Sequence, residues 1–99
     1  MHHDYLITVI ADEDTITGFK IGGIVDNGNN FLSVTSETET EEIINFFVKK
    51  TKEKHIGIIF ISDFIAKKLN KEITEHKEIL PSILVIPNSK SNLEIFLNN

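Results

Sequence analysis

The run Leu6-Ile7-Thr8-Val9-Ile10-Ala11, closed at once by Asp12-Glu13-Asp14, limits this chain more than any other feature. The run is apolar or β-branched throughout and lacks polar alternation, so it reads as a strand covered on both faces. The three carboxylates suit the start of a helix, whose free N–H groups favour negative charge, and Asp14 is expected to cap it. Gly18, Gly22 and Gly23 then fall inside the predicted helix at spacings of four and five. A glycine there costs about 1 kcal/mol against alanine, so three of them imply that a strand or a partner comes very close.

The rest of the chain repeats the same kind of unit. Asp26-Asn27-Gly28-Asn29-Asn30 is a loop by its residue types, and residues 31–35 form a short second strand. Thr38 and Glu41 stand at capping-box spacing before a helix that carries Ile43, Ile44, Phe47 and Val48 as its buried stripe. Lys49, Lys50, Lys52 and Lys54 suit the negative end of that helix. Residues 56–61 are the most apolar run and make a central parallel strand, with Gly57 marking a helix close by. Ser62 or Asp63 caps a third helix with Ile65, Leu69 and Ile73 on its buried face. Pro81 ends that segment, and residues 83–86 form a fourth strand. In the tail, Leu93, Phe96 and Leu97 fit about two turns of amphipathic helix, too short to hold alone in water.

Strands alternating with helices predict one α/β domain over residues 1–90 and a short C-terminal tail or helix over 91–99. The domain is a small four-stranded parallel sheet with helices on both faces, its first and third strands central.

Composition narrows the function. A net charge of −5 without a basic patch argues against nucleic acid. The absence of cysteine leaves no disulfide framework and no thiolate zinc site, and the absence of arginine weakens any phosphate-binding reading. No apolar run reaches membrane-spanning length, so no direct membrane insertion is expected. The glycines lie within the predicted helix rather than in the turn before it, so they make no dinucleotide fingerprint. His2, His3, His55 and His76 show no i, i+4 metal spacing, and no nucleophile has an evident base. Catalytic residues, cofactor and metal are all expected to be absent.

One arrangement keeps a chemical alternative open. Asp12-Glu13-Asp14 and Asp63 sit at the carboxyl ends of the two central strands, where open α/β sheets bind ligands. A flavodoxin-like, phosphoacceptor receiver domain places an acidic magnesium site and an acceptor aspartate there, with Asp63 as acceptor and Lys90 as the lysine that reads the charge. The plainer reading makes these carboxylates caps and turn residues.

Residues 7–19, Ile-Thr-Val-Ile-Ala-Asp-Glu-Asp-Thr-Ile-Thr-Gly-Phe, strongly resemble the start of the F subunit of the V-type (vacuolar) proton-pumping ATPases, which reads I-A-V-I-G-D-E-D-T-V-T-G-F. Gly22-Gly23-Ile24, Asn30-Phe31-Leu32-Ser33-Val34, the run 55–61 and the run 80–87 match that family in the same order. The chain departs from it at Asp63, in the loop after the fourth strand, and in a shorter, less basic tail. The resemblance implies a non-catalytic part of the central stalk. It would bind the coiled-coil D subunit and other stalk and catalytic-head subunits, help couple ATP hydrolysis to proton transport, and sit on the cytosolic face of vacuolar or other endomembranes. Leu93, Phe96 and Leu97 are the expected partner face, because a short tail helix needs a surface to bury on.

Overall fold

The computed structural model describes residues 5–87. Its elements run β1 (Leu6–Ala11), α1 (Glu13–Ile21), β2 (Phe31–Ser33), α2 (Thr40–Thr51), β3 (Ile56–Ser62), α3 (Asp63–Ala66), a 3₁₀ turn (Lys67–Leu69), α4 (Asn70–Glu75) and β4 (Ser82–Ile86). The strands form one parallel sheet in the order β2-β1-β3-β4, so the expected α/β fold and the two central strands are both found.

Alternate residues of a strand point to opposite faces, and each face has its own core. On one, Ile10, Ile59 and Ile61 pack against Ile43 and Phe47 of α2 and against Ile65 and Leu69 of the α3 segment. On the other, Val9 and Ala11 pack against Ile16 of α1, with Phe19, Phe31 and Phe60 around them. Helices therefore cover both faces, but unequally: among the described residues, α1 alone serves the second.

Several local expectations are corrected. Asp12, not Asp14, caps α1: its carboxylate accepts from the backbone N–H of Thr15 at 3.4 Å and from the Thr15 hydroxyl. Only Gly18 lies inside α1. Gly22 is its C-cap, and Gly23 follows with φ 109°, a conformation that favours glycine.

Thr38 forms no capping box. Its hydroxyl accepts from the Thr35 N–H at 2.9 Å and closes a turn, so α2 starts after Glu39 with no side-chain cap. Lys50, in the basic last turn of α2, is buried. Its Nζ lies 3.0 Å from Glu53 Oε2 and 5.3 Å from the centre of the Phe46 ring.

The third helix is not one rod: it tightens into the 3₁₀ turn at Lys67–Leu69, which keeps Leu69 in the core. Gly57 accommodates no helix. A Cβ built there would lie 2.7 Å from Tyr5 Cβ, and the β1–β3 register slips at this point, Leu6 pairing with Ile56 and Ile7 with Ile58.

Candidate functional site

The carboxyl edge of the sheet gathers Asp12, Glu13, Asp14, Ser62 and Asp63, since β1 and β3 are neighbours and both end there. Their arrangement is that of helix starts. Asp12 is committed to Thr15. Ser62 precedes α3 as its N-cap residue, with its buried hydroxyl bonded to no partner among the described residues. Among the described residues, no three carboxylate or imidazole groups come together as a metal-binding cluster. The phosphoacceptor alternative at Asp63 therefore lacks the acidic site that it requires. Lys90 lies outside the described residues.

The charged groups of the α1–β2 loop are structural. Lys20 Nζ sits 3.0 Å from Asp26 Oδ2 and 5.1 Å from the centre of the Phe31 ring. The Asp26 carboxyl is held below the usual carboxylate range, first by the Gly28 N–H that donates to it at 2.8 Å, then by Lys20. Asn30, buried beneath the loop, accepts from the Asn27 N–H at 2.9 Å. It donates to the carbonyls of Ile7 at 3.0 Å and Val25 at 2.8 Å.

What the described residues leave open is a strip of sheet beside α1. Partners in neighbouring parallel strands share a face, so Leu84, opposite Phe60, and Ile86, opposite Ser62, point to the α1 side. Phe19 reaches only as far as Phe60, with ring centres 5.0 Å apart, and Leu84 is left 45% exposed. A groove of about 480 Å³ runs there, walled by Thr15, Gly18 and Phe19 of α1, by Ile24, and by Ile86 and Pro87. A Cβ built on Gly18 would meet nothing within 4 Å. The close approach expected at this glycine is thus not made by any described part of the chain. The groove was not foreseen from the sequence. Its signal was the uneven helix cover: among the described residues, α1 on one side, α2 and the α3 segment on the other.

The expected partner residues Leu93, Phe96 and Leu97 lie outside the described residues. No helix of the described region is long and apolar enough to cross a membrane.

Comparisons with known proteins place the chain in a family. Residues 7–96 match the family model described as ATP synthase (F/14-kDa) subunit. The V-type proton ATPase F subunit of Homo sapiens is 40% identical over 89 residues, covering 86% of this chain and 75% of that protein. The F subunit of Xenopus laevis is 43% identical over 86 residues, covering 83% and 78%. The crystal structure of the V-type ATP synthase F subunit of Archaeoglobus fulgidus superposes with a TM-score of 0.63 at 25% identity, covering 85% of this chain and 99% of that one.

Proposed function

This chain belongs to the family of the V-type proton ATPase F subunit, and from that premise we propose that it works as a non-catalytic part of the central stalk of a proton-pumping ATPase. In this reading it binds the coiled-coil component of the stalk, the D subunit, and helps pass torque between the ATP-hydrolysing head and the membrane rotor. It acts from the cytosolic face of the membrane. The observation that carries the reading is the half-covered α1 side: an apolar strip with Leu84 45% exposed and a groove beside it. Apolar surface of this kind on a small domain marks an interaction site. Leu93, Phe96 and Leu97 supply the apolar contacts of the tail to the coiled coil.

The test is reconstitution of the full chain with the coiled-coil subunit of its own ATPase. A stable complex that Leu93→Asp with Phe96→Asp disrupts supports both the role and the tail assignment. A complex unchanged by the pair removes the tail from the interface. Failure of the unaltered chain to bind removes the stalk reading.

A further inference from the structure

We propose that the outer edge of β4 is a pairing surface for a second copy of this chain, the two β4 strands running antiparallel about a two-fold axis at Leu84. β4 ends the sheet order β2-β1-β3-β4, and among the described residues nothing pairs with its outer side. Backbone N–H and C=O groups of alternate residues therefore point outward, and such a row takes up another strand. The usual protections of an edge are missing here. Residues 82–86, Ser-Ile-Leu-Val-Ile, carry no charge, and they pair with β3 in unbroken register. Leu84 and Val85, on opposite faces of the strand, are 45% and 50% exposed. The other edge is guarded: β2 is three residues long, and the Lys20 ammonium lies over its Phe31 ring.

Symmetry selects a second copy as the occupant. Pro81 and Pro87 stand three residues to either side of Leu84. Neither can donate an N–H, so together they bound a ladder that reads alike in both directions. The antiparallel pairing that overlaps all of β4 sets Leu84 opposite its own copy. It also sets Ile83 opposite Val85, Ser82 opposite Ile86, and Pro81 opposite Pro87. A two-fold axis perpendicular to the sheet keeps the α1 side of both copies together, so the members of each pair share a face, as antiparallel partners do. Aliphatic cross-strand pairs of this kind stabilise the ladder. One strand pair is small beside the roughly 1,200 Å² of a stable interface, and each copy carries a net charge of −5. The dimer is therefore weak and favoured by salt. It is a property of the free chain, independent of the stalk role.

Sedimentation of the full chain up to about 1 mM, in about 0.3 M salt, should show the mass rising from one copy toward two. Leu84→Lys sets two ammonium groups face to face at the axis and should hold the chain at one copy, with its circular dichroism unchanged. A mass of one copy throughout overturns the proposal, and so does a dimer that a folded Leu84→Lys chain still forms. Disulfide trapping reads the pairing independently, because the chain has no cysteine of its own. Opposed Cα atoms lie about 4.5–5.5 Å apart, within disulfide reach. Ser82 lies about 14 Å from its own copy in this register. Under mild oxidation, Leu84→Cys should therefore link two chains roughly tenfold faster than Ser82→Cys. A mixture of Ser82→Cys and Ile86→Cys chains should link to each other in preference to themselves. Equal rates for Leu84→Cys and Ser82→Cys, or a mixture that links at random, would overturn the antiparallel pairing.

Discussion

Phe19 of α1 and Phe60 of β3 hold their ring centres 5.0 Å apart at an interplanar angle of 35°, and this pair is the outer limit of the helix's cover on its side of the sheet. Beyond it the described residues leave the sheet half bare. Phe19→Ala should cost about 2 kcal/mol of unfolding free energy, less than a fully buried phenylalanine because the ring is only partly covered. Phe60→Ala should cost a similar amount, and the double variant less than the sum, since both changes remove one contact. Urea denaturation of the four proteins measures this.

Asp12 and Asp14 separate cleanly by their roles. Asp12→Ala removes the only side-chain cap of α1 and should cost about 1 kcal/mol. Asp14→Ala alters only the charge near the helix start and should cost a few tenths of that at low salt. Equal losses would contradict the cap seen here.

Gly57→Ala forces a Cβ against Tyr5 Cβ at 2.7 Å. The expected loss is about 1–2 kcal/mol, moderated because Tyr5 is 55% exposed and near the start of β1. In a Tyr5→Gly background the same substitution should be close to neutral. A persistent loss there would show that the strain lies elsewhere.

Asn30→Ala leaves the carbonyls of Ile7 and Val25 without their donor and should cost about 2–3 kcal/mol. Asn30→Asp tests the same site by pH. A buried carboxylate facing two carbonyls has its folded pKa raised, so the folded form holds the proton more tightly than the unfolded one. Relative to the parent, the variant should lose stability as pH rises from about 4 and level off above its folded pKa. A flat difference between pH 4 and 8 would contradict the hydrogen bonds assigned to Asn30.

The sheet was legible in the sequence because its signals are redundant. Both central strands are long, apolar and rich in Ile and Val, and no helix period fits them. Ile43 and Phe47 likewise showed the buried face of α2. The misses share a different cause. With three carboxylates in a row, sequence alone cannot choose the cap, and the hydroxyl of Thr15 settles it for Asp12. Thr38 had a second use for its hydroxyl, in the turn with Thr35, and that local bond displaced the capping box. Gly57 was read as a close approach correctly, but its neighbour is Tyr5 across a register slip, which no periodicity records. The strip beside α1 depends on how far the described helices reach over β4, and only the assembled sheet shows that.

Assembly into a rotary proton pump is the central claim. Its most direct measurement is purification of the tagged full chain from membranes of the cells that make it, with subunit composition read by mass spectrometry. The predicted result is that the coiled-coil stalk subunit co-elutes in one-to-one amount, with the ATP-hydrolysing subunits beside it. A chain that elutes alone, with no subunit of the pump above background, would contradict it.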